Sequence, residues 1–138
     1  MSKTFECRVY FEDTDAGGVV YYANYLKYYE RARSEFLSQL GFEQDHLLRH
    51  DIVFVVRHIT VDYAQAARFN ERLEVRSKLT QVKKVSAIFA QEIYCRRDGQ
   101  TVLLNQAEVK VVCVQVDAMK PTGIPPEIHQ KLIQEIER

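Results

Sequence analysis

Apolar positions along the chain fall first into one helical stripe and then into a long series of alternating segments. From Tyr22 to Leu40, the positions Tyr22, Tyr25, Tyr29, Ala32, Phe36 and Leu40 recur every three or four residues, with Lys27, Glu30, Arg31, Ser34 and Glu35 between them. That spacing predicts an amphipathic helix, and Gly41 ends it. A polar connection runs through Asp45 and His50. Ile52 to Tyr63 is rich in β-branched and aromatic residues, and Leu73, Val75 and Leu79 alternate with Arg72, Glu74, Arg76 and Lys78; both stretches are predicted strands. Val85 to Arg97 and Thr101 to Val116 flank Asp98-Gly99, a turn pair that joins antiparallel strands. Pro121 to Pro126 breaks the alternation, after which Ile128, Leu132, Ile133 and Ile136 predict a short terminal helix with Pro126 in its first turn.

One helix covers a five-stranded sheet only if the sheet curls round it. The order of elements therefore predicts an α+β hot-dog fold, an antiparallel five-stranded sheet wrapped around one long helix, plus the short C-terminal helix. With 138 residues the chain is one domain, 1–138. Phe54, Val56, Val112 and Val114 lie where the outer sheet face needs shelter. A homo-oligomer is expected, at least a dimer.

Composition narrows the classes further. Hydrophobic residues make up 46% and charged residues 28% of the chain, as in a soluble globular protein, and no apolar run approaches the ~20 residues of a membrane span. Nineteen basic residues balance nineteen acidic ones, so no global field favours nucleic acid. The first residues lack the long apolar segment of a secretion signal, which makes the cytoplasm the expected location. Cys7, Cys95 and Cys113 are odd in number with no close pair, a pattern of buried thiols in a reducing compartment.

The chemistry concentrates between Glu12 and Tyr25, where Asp13-Thr14-Asp15-Ala16-Gly17-Gly18-Val19 opens into the aromatic start of the helix. The glycines let a ligand approach the backbone, and the first helical N–H groups are unpaired at the positive end of a dipole. A developing oxyanion fits there. Taken alone, an acidic turn before a helix is more often a structural cap, and the tyrosine run Tyr21, Tyr22, Tyr25, Tyr28 and Tyr29 reads first as packing. Two ionised carboxylates this close oppose each other, so Asp13 is read as a residue of the loop rather than a reacting group. His46 and His50 have the i, i+4 spacing of a metal pair, but the glutamate of H-E-x-x-H is absent and the sequence offers no third ligand. A surface loop is the expectation there, and neither a metal nor a cofactor is implied.

The stretch V-Y-F-E-D-T-D-A-G-G-V-V-Y-Y-A-N-Y-L-K-Y-Y-E-R-A-R-S-E-F, from Val9 to Phe36, resembles the 4-hydroxybenzoyl-CoA thioesterase family, and within it the branch of Tol–Pal-associated acyl-CoA thioesterases. The likeness continues through Phe54 to Tyr63, Ala67-Arg68-Phe69, Leu104 to Val109 and Met119-Lys120-Pro121. The resemblance implies an acyl-CoA thioesterase in which Asp15, the second aspartate of D-x-D-x-x-G, performs or assists attack on the thioester. Gly18 and the Tyr22 N–H match the positions that bring a helix start to the carbonyl. Val19, Tyr25, Arg57, Lys83, Lys84 and Ser86 are the candidate substrate contacts, the lysine pair for the phosphates of coenzyme A. Lys83-Lys84 reads equally well as a solvated hairpin tip, and Arg57 as half of a structural ion pair. A tetramer built from dimers is also implied, as is a weak association with lipid-synthesis or cell-envelope proteins. Two positions depart from the pattern: Tyr22 stands where many members of the branch carry His, and Ala66 where the family often has Pro.

A thioester is reactive enough that one carboxylate suffices, either as nucleophile through a mixed anhydride or as general base on water. A helix start favours the charged carboxylate, which helps a nucleophile and lowers the basicity a base needs. A hot-dog dehydratase would need a histidine in the acidic segment, and none occurs between Met1 and Leu40. A non-catalytic acyl-binding protein is the rival that remains.

Overall fold

The structure, a computed structural model, describes residues 2–137. Strand β1 (Lys3–Arg8) leads into the acidic loop, and a 3₁₀ turn (Tyr22–Asn24) runs directly into α1 (Tyr25–Gln39). A short helix α2 (Gln44–Arg49) precedes β2 (Ile52–Tyr63), β3 (Arg72–Val82), β4 (Ser86–Arg97) and β5 (Gln100–Gln115), and α3 (Pro126–Glu137) closes the chain. The five strands form one antiparallel sheet in the order β1-β3-β4-β5-β2. This is the hot-dog arrangement expected from the pattern. Among the described residues, no helix is long and apolar enough to cross a membrane.

Alternation dictates which face curls inward. Leu73, Val75 and Leu79 of β3, Ala87, Phe89 and Ile93 of β4, and Ala107, Val109 and Val111 of β5 are buried at every second position. Helix α1 fills the concave face with Tyr25, Tyr28, Tyr29, Ala32 and Phe36, and the Phe36 ring meets Phe89 edge-on at 5.3 Å. Several polar side chains inside this layer pair with one another, as burial favours. The Tyr29 hydroxyl donates to Asn105 Oδ1 (2.6 Å), and Gln91 Nε2 donates to the Tyr29 carbonyl (3.0 Å) and to Ser77 Oγ (2.9 Å). Gln91 Oε1 in turn accepts from Arg33 (3.0 Å).

Three expectations about the elements change. The α-helix starts at Tyr25 rather than Tyr22, because residues 22–24 wind as a tighter 3₁₀ turn. That rotation takes Tyr22 off the buried stripe and leaves it 65% exposed. The connection through Asp45 and His50 is the helix α2, with His50 at its C-terminal cap. On the outer face, Val112 and Val114 are buried within the chain itself, whereas Val56 stays exposed.

Helix α1 packs against β1 and β3, while β2 lies at the opposite edge of the sheet. A cavity of about 560 Å3 opens between α1 and β2, lined by Arg33, Leu37, Phe54, Phe89 and Val111 among others. Among the described residues, strand β2 pairs only with β5, so its other edge carries unpaired backbone groups over most of its length.

Candidate active site

The acidic segment folds as a miniature hairpin. Thr14 bridges Val20, the Asp15 N–H donates to the Val19 carbonyl (2.9 Å), and the Tyr21 N–H donates to the Asp13 carbonyl (3.0 Å). The tip is a turn closed by the Gly18 N–H on the Asp15 carbonyl (3.1 Å). Gly18 takes φ +80°, the left-handed conformation that side chains disfavour. A Cβ at Gly17 would stand 3.3 Å from Asp15 Oδ1, so a side chain there would press on the exposed carboxylate. Asp15 lies exposed at this tip, its Oδ1 accepting from the Gly17 N–H at 2.8 Å.

The hairpin is pinned from two sides. On one, the Val20 N–H donates to the Ala67 carbonyl (2.9 Å), Val19 bridges Arg68, and the Phe69 N–H donates to the Gly18 carbonyl (3.1 Å). Residues 64–71 are themselves clamped by Arg97, whose guanidinium grips Glu71 (2.8 Å) and donates to the Ala66 carbonyl (2.7 Å). The Arg97 hydrogen bonds hold the Glu71 carboxyl below its ordinary range. The departure at Ala66 thus falls on a loop residue whose carbonyl, not side chain, is used. On the other side, buried Asp13 accepts from Asn24 Nδ2 and from the Tyr10 N–H, both at 2.9 Å. The neighbouring Tyr28 phenol is pushed upward by burial and by this carboxylate. Asp13 is therefore the residue that ties the loop to the start of the helix, as its reading as a loop residue anticipated.

Tyr22 opens the 3₁₀ turn with Tyr21 as its cap, where the first N–H groups lack intrahelical acceptors. Its carbonyl accepts from the Tyr63 hydroxyl at the end of β2 (2.9 Å). Six aromatic side chains, Tyr10, Phe11, Tyr21, Tyr22, Tyr63 and Phe69, stand exposed around this end of the molecule. An exposed apolar cluster of that kind marks a binding or assembly surface.

The other candidate contacts are distributed unevenly. Val19 is half-buried beside the hairpin tip. Tyr25 is buried, its hydroxyl accepting from the Ala67 N–H (3.0 Å), so in this chain it packs and supports the 64–71 loop rather than facing a ligand. Arg57 is exposed at a bulge in β2. Lys83 and Lys84 are exposed at the β3–β4 turn, and Ser86 is buried at the start of β4. The lysines occupy the far end of β3 from the residue 67–69 loop that holds Asp15, roughly 30 Å away at ~3.3 Å per strand residue. One chain does not bring them together. Sequence reasoning missed Asn24, Tyr63 and the Glu71–Arg97 pair, whose members are linked only by the fold. Among the cysteines no disulfide forms, and burial pushes the Cys7 thiol up to about 11.

Comparison with known proteins places this geometry in a lineage. Residues 9–132 match the thioesterase-like superfamily. The chain belongs to that superfamily. It is 46% identical over 121 residues to the acyl-CoA thioester hydrolase YbgC of Escherichia coli, covering 88% of each chain. With the acyl-CoA thioesterase YbgC of Haemophilus influenzae it shares 43% identity over 126 residues, 91% of this chain and 90% of that one. The crystal structure of a probable thioesterase from Bartonella henselae superposes with a TM-score of 0.82 at 31% identity, over 91% of this chain and 100% of the other.

Proposed function

We propose that the chain hydrolyses the thioester of an acyl-coenzyme A to the free acid and coenzyme A, with Asp15 as the reacting carboxylate and the N–H groups at Tyr22 polarising the carbonyl. The observation that carries this reading is the hairpin itself. Its register places Asp15 opposite Val19 and Asp13 opposite Tyr21, so two ladder steps, about 7 Å, separate Asp15 from the base where the helix begins. A thioester carbonyl with a carboxylate oxygen ~3 Å from its carbon and an N–H ~3 Å from its oxygen spans that gap. The names of the superfamily members at 46% and 43% identity support the same substrate class.

Two routes conserve atoms and charge. In one, an Asp15 oxygen attacks the acyl carbon, coenzyme A leaves as thiolate, and water cleaves the resulting anhydride. In the other, Asp15 takes a proton from the water that attacks. In both, negative charge develops on the carbonyl oxygen, which the N–H groups at the start of the turn would stabilise.

The reading extends to assembly. The open edge of β2, the exposed Val56 and Arg57, and the ring of exposed aromatics support a homo-oligomer, a tetramer built from dimers, in which Lys83 and Lys84 of one copy serve Asp15 of another. Three free thiols, those of Cys95 and Cys113 buried, fit the cytoplasm. Turnover of a panel of acyl-CoA thioesters, read by thiol release, tests the activity and reports acyl preference. Release well above background on at least one member is expected; binding without turnover across the whole panel would instead establish a non-catalytic acyl-binding protein.

A further inference from the structure

The histidine pair that the sequence left without a third ligand acquires one in the fold. His46 on α2 and His50 at its cap both turn their Nε2 atoms toward Oε1 of Glu127 in the first turn of α3, at 3.7 and 3.3 Å. The three ligand atoms lie within 4.8 Å of one another. In a tetrahedral site with metal–nitrogen distances of ~2.0–2.1 Å, neighbouring ligand atoms stand about 3.3 Å apart. The two contacts to Glu127 are near that spacing already.

A second observation separates this cluster from an ordinary pair of surface contacts. His46 Nε2 is shielded from solvent and has no hydrogen-bond partner, 3.7 Å from Glu127 being too long for one. A ring nitrogen shielded from water and left without a partner is destabilising. The ring is nevertheless held in place, between Phe42 at 5.8 Å and His50 at 5.0 Å between centroids. A metal ion among the three ligands would give that nitrogen a partner once the side chains draw in by a few tenths of an ångström.

We infer that His46, His50 and Glu127 form a zinc site that staples α2 to α3. Two imidazoles and a carboxylate suit zinc and its transition-metal neighbours and disfavour calcium and magnesium, which take oxygen ligands. The three protein ligands leave a fourth position for water. The site is separate from the thioesterase chemistry: Asp15 precedes α1, whereas α2 follows it, a helix of fifteen residues or roughly 22 Å away.

Isothermal titration calorimetry of the tag-free, chelator-treated chain with zinc chloride at about pH 7.5 tests the inference. One zinc per chain is expected. Glu127→Gln, nearly isosteric, is expected to weaken binding by roughly tenfold or more, and the double variant His46→Ala/His50→Ala to abolish it. His129→Ala, on the same helix but outside the cluster, leaves binding unchanged. Zinc raises the melting temperature of the native chain and of His129→Ala but not of the double variant. No binding to the native chain at about 100 μM zinc, or binding that survives in Glu127→Gln at native affinity or in the double variant, overturns the site.

Discussion

Replacing Asp13 by alanine tests whether that carboxylate, rather than the exposed Asp15, holds the acidic hairpin to the helix. Asp13 is 8% exposed and accepts from Asn24 Nδ2 and from the Tyr10 N–H, both at 2.9 Å. In the variant the Asn24 amide, buried, loses its acceptor at about 1–3 kcal/mol, while the Tyr10 N–H, on an exposed residue, turns to water and loses about 0.5–1.5 kcal/mol. Removal of a buried charge relieves part of its own desolvation, which sets the net loss near about 2 kcal/mol. For a chain of this length that is a fall in Tm of roughly 6–8 °C. Scanning calorimetry at neutral pH reads it directly. Asp13→Asn, which still offers one acceptor, is expected to lose less than half as much. An alanine variant melting within ~2 °C of native would refute the reasoning, since the hairpin would then be held by its backbone contacts to residues 67–69 alone.

Three further outcomes follow from the same geometry. Gly18→Val places a β-branched residue at φ +80°, with open space around its Cβ; the backbone strain of about 1–3 kcal/mol displaces the tip, and hydrolysis is expected to be lost while the fold persists by circular dichroism. Replacing Lys83 and Lys84 together by alanine is expected to raise KM for acyl-CoA but not for a short pantetheine thioester, with an effect that shrinks as salt rises; an equal effect on both substrates would remove the phosphate role. Because the Arg97 hydrogen bonds depress the Glu71 carboxyl, the stability they confer is present above the ordinary glutamate range, about 4.3, and fades as pH falls through the lower folded-state value. Glu71→Gln should therefore melt below native at neutral pH, with the difference narrowing in acid; a gap that widens in acid would show the sign to be wrong.

The sheet was legible because period-two burial leaves a direct trace in sequence: the Leu73, Val75 and Leu79 alternation and the Asp98-Gly99 turn reappear as β3 and the β4–β5 hairpin. The helix stripe was legible from Tyr25 onward and misread at Tyr22, since three residues of 3₁₀ winding alter the angular phase without altering the spacing of aromatics. Helix α2, six residues long, is too short for a periodic signal. Around the hairpin, the Asp15-to-Gly18 tip was visible as composition, but the supports at Asn24, Tyr63 and Glu71–Arg97 depend on contacts of up to 41 residues' separation. The Lys83-Lys84 pair shows the opposite limit. Its chemistry is plain in sequence, while its distance from Asp15 within one chain appears only when β3 is laid out at full length. The metal cluster is similar, because Glu127 becomes a neighbour of His46 only after α3 folds back over α2.

Asp15 is the proposed reacting carboxylate. The most direct measurement is the rate of acyl-CoA hydrolysis by Asp15→Asn, read by thiol release on the best substrate of the panel, with melting temperature recorded on the same preparation. The amide keeps the shape and can still accept from the Gly17 N–H, but it neither attacks a thioester nor takes a proton from water. A fall in kcat of roughly 10²–10⁴-fold is expected, with Tm within ~2 °C of native; a correctly melting variant that turns over within about threefold of native would remove Asp15 from the reaction.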